Sequence, residues 1–167
     1  MPSFPLLLVA DAGPLIALAS GGLFATVSKL IPKLVVPDAV LEECLVDPRR
    51  ADAQAIQIAL DNGILERRPT AGISAAASLK DQLGRGESAA VALALAIDAA
   101  ILIDEKHGRR VARHLSLKIV GTGGLLIALT AAGLIPAVQP VLLQLKTGGY
   151  WMSEALTAEI LARCGER

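Results

Sequence analysis

The sequence predicts an α/β fold built on a mainly parallel sheet. Short apolar runs of strand length alternate with helical patterns along the chain. These runs lack an alternating polar face, as is typical of strands that are covered on both sides. The chain has 167 residues and 53% hydrophobic content, which is enough for a sizeable core. We therefore expect a single domain over residues 1–167.

The first half of the chain supplies three strand candidates, which are residues 5–10, 34–36 and 64–67. Pro14 begins a helical stretch after the first of them, because proline is favoured in the first turn of a helix. Further helices are predicted from Pro37 to about Val46 and over residues 50–61, where Asn62-Gly63 provides a stop signal. Residues 70–78 fit either a loop or the start of a helix.

The second half repeats this alternation. An alanine-rich helix over residues 87–98 is apolar on nearly every side and is predicted to be buried. The clearest strand, residues 100–103, ends at Asp104, and a basic helix follows to about His114. A strand at 118–120, a glycine-rich turn, an apolar helix and a final helix through Ile160 complete the chain.

Composition excludes several classes of protein. Sixteen basic and sixteen acidic residues give a net charge of zero, so any nucleic-acid site must be local. The uncharged run over residues 119–145 contains prolines, glycines and polar residues, and we interpret it as strand, turn and buried helix rather than a membrane span. Cys44 and Cys164 match no metal spacing or disulfide framework. We expect a cytoplasmic protein with reduced thiols and no membrane contact.

Four acidic residues stand out by position, and they are Asp11, Glu43, Glu87 and Asp104. The first and last fall where a buried strand ends, on the side of a parallel sheet where ligands bind. Each also has an ordinary explanation. The two aspartates could cap helices, and Glu43 could lie on a solvated face. Glu87 could interact favourably with the positive end of its helix dipole.

Together the four acids predict a metal site. Clustered carboxylates repel one another unless a divalent cation neutralises them. Oxygen ligands without a His or Cys set indicate Mg²⁺ or Mn²⁺, and such a site suits phosphodiester hydrolysis. The same repulsion predicts that Asp104→Asn leaves the metal-free protein as stable as wild type or more so.

Five segments, four of which contain these acids, resemble PIN domains in order and rough spacing, with the best match to a prokaryotic branch related to VapC toxins. The segments are Asp11-Ala12-Gly13-Pro14-Leu15-Ile16, Val36-Pro37-Asp38-Ala39-Val40-Leu41-Glu42-Glu43, Gly86-Glu87-Ser88-Ala89-Ala90, Leu102-Ile103-Asp104-Glu105 and Gly121-Thr122-Gly123-Gly124-Leu125-Leu126. The resemblance covers about residues 6–165. It depends on the ordered set, because no single segment is specific.

The resemblance implies a three-layer α/β/α PIN-like fold and a metal-dependent endoribonuclease that cleaves RNA with metal-activated water. It also implies frequent homodimerisation and, often, an antitoxin encoded alongside. Carried over position by position, the catalytic and metal-binding set is Asp11, Glu43, Glu87 and Asp104.

The helix after Asp104 is a candidate RNA contact, because an arginine guanidinium can donate two parallel hydrogen bonds to phosphate oxygens. Its basic residues recur at helical spacing, although a solvated face explains them equally well. Thr122 could bind a phosphate or a metal-bound water, or could simply form the turn. The candidate RNA-binding set is Lys106, Arg109, Arg110, Arg113 and Thr122.

Two departures from the family pattern keep a second interpretation open. Gly13 stands where many relatives carry a hydroxyl residue, and Glu105-Lys106-His107 replaces the Asp-Phe pair common after the last acid. We expect Glu105 to be an exposed acid at the start of its helix rather than a spare ligand. The alternative to a nuclease is a catalytically weak or inactive PIN-like binding or interaction protein.

Overall fold

The computed structural model describes residues 3–167, and its centre is a five-stranded, all-parallel sheet. The strand order is β3-β2-β1-β4-β5. The strands are β1 (Leu7–Ala10), β2 (Lys33–Pro37), β3 (Leu65–Arg68), β4 (Ala100–Leu102) and β5 (Ile119–Val120). Each lies within two residues of a predicted strand, and the predicted α/β class is confirmed.

Strand β1 forms the middle of the sheet. Its partners are β2 on one side and β4 on the other, with Val9 opposite both Val35 and Ile101. Leu8, Val9 and Ala10 have no solvent exposure. Because successive strand residues point to opposite faces, both faces of the sheet must be covered by helices. The unbroken apolar run of the sequence reflects this burial.

Helices flank the sheet along the whole described chain. They are α1 (Ala12–Ser20), α2 (Phe24–Leu30), α3 (Asp38–Cys44), α4 (Ala51–Asp61), α5 (Ser74–Leu79), α6 (Arg85–Ala96), α7 (Lys106–His114), α8 (Thr122–Ala131), α9 (Gln139–Thr147) and α10 (Glu154–Arg163). Helix α6 is the buried alanine-rich helix that the sequence predicts. Seven consecutive residues from Ser88 to Ala94 are buried in it.

The helices differ from the prediction in two places. The stretch predicted to begin at Pro14 begins at Ala12 and divides into α1 and α2 at Gly21-Gly22, where Gly22 adopts a positive φ. Residues 70–78, predicted as either a loop or the start of a helix, contain the start of the short helix α5. The uncharged run holds two helices rather than one, because Gly133 adopts a left-handed conformation between α8 and α9.

The order of the strands brings the carboxyl ends of β1 and β4 together. From β1 the chain builds outward through β2 and β3, and β4 then returns to the other side of β1. A crevice forms at such a reversal and is the usual ligand site of open α/β sheets. Asp11 directly follows β1, and Asp104 lies two residues beyond β4.

In residues 3–167, no single helix combines the length and apolar character needed to cross a membrane. Helices α1 and α2 meet that test only as a pair that is bent by 114°.

Candidate functional site

A cleft of about 280 Å³ opens at the carboxyl ends of β1 and β4, and all four predicted acids line it. A fifth acid, Glu105, also lines it, and among residues 3–167 the lining contains no Lys, Arg or His. The lining residues are Asp11, Ala12, Gly13, Pro14, Glu43, Gly84, Gly86, Glu87, Asp104 and Glu105. The fold therefore concentrates negative charge in one small, partly enclosed space.

Asp11 is the most buried of the four acids, with 6% of its surface exposed. Its backbone is fixed on both sides, because its N–H donates to the Leu102 carbonyl and its carbonyl accepts from Leu15. It occupies the N-cap position of α1, yet its side chain makes no capping hydrogen bond. Helix capping therefore does not explain why a carboxylate occupies this position.

The surroundings of Asp11 favour its protonated form. Burial raises the pKa of the Asp11 carboxyl to about 7, and the negative charges of Glu87, Glu43 and Asp104 contribute in the same direction. The Ala12 amide opposes the rise only in part. Burial and neighbouring carboxylates both disfavour the ionised form of Asp11. A divalent cation bound in the cleft would stabilise that ionised form.

The Asp104 carboxylate accepts three hydrogen bonds from neighbouring residues. The Thr122 amide donates to Oδ1 at 2.7 Å, the Thr122 hydroxyl donates to Oδ2 at 2.5 Å, and the Tyr150 hydroxyl also donates to Oδ2. Asp104 does not cap α7. That position belongs to Glu105, whose side chain accepts from the Gly108 amide at 2.7 Å. Glu105 is thus the exposed helix-start acid that the sequence predicts.

Glu43 depends on a glycine for its position. Its Oε1 accepts the Gly86 amide of α6 at 3.0 Å, and a Cβ on Gly86 would lie 2.9 Å from the Glu43 Cδ. Only glycine permits this approach. The neighbouring Glu42 is paired with Arg85 at 2.6 Å, so that the two adjacent glutamates have separate roles.

Glu87 lies half-buried in the first turn of α6. Burial raises its pKa above the usual value for glutamate, the charges of Glu105 and Glu43 add to the effect, and His107 opposes it. A Cβ on Gly108 would come within 3.2 Å of the Glu87 carboxylate. A second glycine therefore permits close packing around the cleft.

The donor set of the cleft fits a hard divalent cation, because every side-chain donor is a carboxylate oxygen. Over the described residues, no three Asp, Glu, His or Cys side chains are arranged so that they could hold a metal ion by themselves. Glu43 and Asp104 are each engaged by protein donors. Magnesium is often bound through one or two carboxylates and several waters, which this arrangement permits.

The basic helix α7 presents three of its four predicted contacts to solvent, namely Lys106, Arg110 and Arg113. Arg109 differs. Its guanidinium donates to the Ile103 carbonyl at 2.9 Å, and it lies near Gly121 beside the Asp104 carboxylate. The position of its guanidinium suits a positive side chain at the rim of the acid cleft better than an exposed contact with an RNA phosphate away from the cleft.

Two residues near Asp104 make contacts that the sequence does not indicate. Thr122, a candidate RNA contact, is 1% exposed, and both its amide and its hydroxyl donate to Asp104. It therefore holds the carboxylate by two hydrogen bonds, and its contact with RNA stays a prediction. Tyr150 was not among the predicted residues, because no spacing rule connects a residue in a loop after α9 with an acid 46 residues earlier. Its only sequence signal is that it is the sole tyrosine.

Comparison with known protein families supports the arrangement. Residues 7–166 match the family described as DUF3368, PIN domain. A search of curated proteins returns no match. The match spans every strand of the sheet and every acid of the cleft. The chain therefore belongs to the PIN domain family, a family of nucleases.

Proposed function

We propose that this chain is a metal-dependent endoribonuclease. The observation that carries the proposal is the cleft of about 280 Å³, which is lined by five acids and no basic residue. A bound Mg²⁺ or Mn²⁺ would activate the attacking water and stabilise the charge that develops on the phosphate.

In this proposal three acids of the cleft would bind the cation, and a fourth would accept a proton. Asp11 and Asp104, at the ends of the two adjacent central strands, would hold the cation. Glu43 has one oxygen occupied by the Gly86 amide and would offer the other. Glu87, whose pKa is raised, would accept a proton more readily than an ordinary glutamate. Asp11, Glu43, Glu87 and Asp104 therefore form the proposed catalytic and metal-binding set.

Further parts of the proposal depend on the resemblance to VapC toxins. We propose that the protein forms one domain, acts in the cytoplasm on RNA, assembles as a homodimer and is inhibited by an antitoxin encoded beside it. The segment from Gly121 to Leu126 supports this branch. Co-expression with the product of the neighbouring gene should suppress cleavage and yield a complex in size-exclusion chromatography.

The direct test is cleavage of an unstructured RNA by the purified protein. Mn²⁺ and Mg²⁺ should each support internal cleavage, EDTA should abolish it, and added metal should restore it. Cleavage that persists in EDTA would contradict the proposed chemistry. Trimming from the ends alone would contradict the endonucleolytic assignment.

Two observations favour a second candidate, a catalytically weak or inactive binding protein. Two of the four acids already accept protein hydrogen bonds, and no three of the described side chains could hold an ion by themselves. In that case the protein would bind RNA without cleaving it under any metal condition, and the same assay distinguishes the two candidates.

The exposed face of α7 offers a test of RNA binding. Replacing both Arg110 and Arg113 with alanine should weaken affinity for single-stranded RNA roughly tenfold, because each would lose a phosphate contact. The slope of log affinity against log salt should fall by ~1.4, or ~0.7 for each lost contact. Fluorescence anisotropy across a salt series measures both quantities.

Arg163→Ala is the matched control, since it removes an exposed arginine from α10. Arg109 is left unchanged because its guanidinium holds the backbone beside Asp104. An unaltered salt slope in the double variant would make α7 an ordinary solvated helix.

A further inference from the structure

The Tyr150 hydroxyl donates to Oδ2 of Asp104 and connects the C-terminal part of the chain with the acid cleft. The side chain is half-buried, and its hydrogen bond spans 46 residues. The four acids of the proposed reaction do not include this residue.

The backbone around Tyr150 fixes the direction of the ring. Helix α9 ends at Thr147, and Gly149 adopts a φ of +90° that suits glycine. The Tyr150 amide then donates to the Leu145 carbonyl at 2.9 Å. Three residues later Ser153 caps α10 through the Leu156 amide. The ring is thus held between two helix ends and is not carried on a free loop.

The three donors leave Asp104 with few free lone pairs. A carboxylate has about four acceptor positions, two on each oxygen. The hydroxyls of Thr122 and Tyr150 occupy both positions on Oδ2, and the Thr122 amide occupies one on Oδ1. One position, on Oδ1, remains for a ligand.

We propose that Tyr150 is a positioning residue that, together with Thr122, restricts Asp104 to binding a divalent cation through Oδ1 alone. The inference rests on the proposed metal-dependent function and extends it to a residue outside the acid set. Hydrogen bonds from neighbours to a metal-ligating carboxylate fix its orientation, and their loss usually weakens metal binding. Charged acceptors make such bonds stronger than neutral ones.

The test compares Mn²⁺ binding to wild type and Tyr150→Phe by isothermal titration calorimetry. Phenylalanine retains the ring and removes only the hydroxyl, so affinity should fall about 10- to 100-fold. At a Mn²⁺ concentration that does not saturate the variant, kcat should fall while the KM for RNA stays unchanged, because Tyr150 touches Asp104 and not the substrate.

The matched control is Thr147→Val, which removes a hydroxyl that bonds only to the Leu143 carbonyl in α9. It should bind Mn²⁺ as wild type does. A double-mutant cycle of Tyr150→Phe with Asp104→Ala, measured by thermal unfolding in EDTA, tests the contact itself, because alanine removes both acceptor oxygens. If Tyr150 acts through Asp104, its substitution should change Tm much less in the Asp104→Ala background than in wild type.

The outcomes are distinct. If wild type binds Mn²⁺ and cleaves RNA but Tyr150→Phe has the same Mn²⁺ affinity, the positioning role is overturned and the nuclease proposal stands. If wild type itself binds no Mn²⁺, both proposals fail. Additive effects on Tm in the cycle would overturn the contact with Asp104.

Discussion

Replacing Asp11 with asparagine is expected to reduce RNA cleavage by at least about 100-fold. Asp11 is the most buried acid of the cleft and makes no capping bond that would explain its presence. An amide keeps the shape of the side chain but removes the charge that would hold the cation. Metal ions contribute several kcal/mol of transition-state stabilisation, and each ~1.4 kcal/mol corresponds to a factor of ten in rate. Single-turnover cleavage with Mn²⁺ is the appropriate measurement.

Asp38→Asn provides a matched control. Asp38 also follows a central strand and starts a helix, but it lies outside the acid cleft. Its side chain accepts the Ala39 amide at 2.9 Å and the Thr70 hydroxyl at 3.3 Å, and asparagine can accept both bonds. This variant should cleave RNA at the wild-type rate. Equal activity of Asp11→Asn and Asp38→Asn would remove Asp11 from the reaction.

The second large effect concerns stability without metal, which should decrease as pH rises from about 4 to about 7. Burial, together with the neighbouring acids, raises the pKa of Asp11 from 3.8 to about 7 in the folded state. Across this range the folded state keeps the Asp11 proton while the unfolded state loses it. The free energy of unfolding therefore falls as the pH rises. Three pH units correspond to about 4 kcal/mol. Urea denaturation in EDTA at a series of pH values measures the fall.

Asp11→Asn should flatten this dependence and should be more stable than wild type at pH 7, because its side chain never ionises. Mn²⁺ should oppose the loss in wild type, by about 2.7 kcal/mol at a concentration one hundred times the dissociation constant. Its effect should grow with pH, since the ligands must be deprotonated. A parallel pH dependence in the two proteins would show that Asp11 is not the group responsible.

The sheet was predictable because burial on both faces leaves a simple pattern. Strands β1 and β4 are unbroken apolar runs that end at an acid, and parallel topology brings such ends to one edge. Helix boundaries were less predictable. The division between α1 and α2 depends on a positive φ at Gly22, and that conformation is not encoded by hydrophobic period. The same holds for Gly133 between α8 and α9.

The acids of the cleft were predictable by position, but their partners were not. The sequence predicted that Asp104→Asn would be tolerated without metal, because only repulsion between acids was visible. The hydrogen bonds of Asp104 act against this expected tolerance, which stays a prediction. Thr122 and Tyr150 donate three hydrogen bonds to the carboxylate, and an amide nitrogen facing those donors would lose at least one of them. Such contacts across long sequence separations follow from packing and have no local signal.

The strand order has a consequence for when the cleft is completed during synthesis. The cleft sits between β1 and β4, and 93 residues separate Asp11 from Asp104. At about 5–20 residues per second, a ribosome needs several seconds to make the intervening chain. An emerging chain that ends before β4 has half of its crevice missing, and one that ends before Tyr150 lacks a donor to Asp104. The cleft and its hydrogen bonds are therefore incomplete until the chain has been made as far as Tyr150.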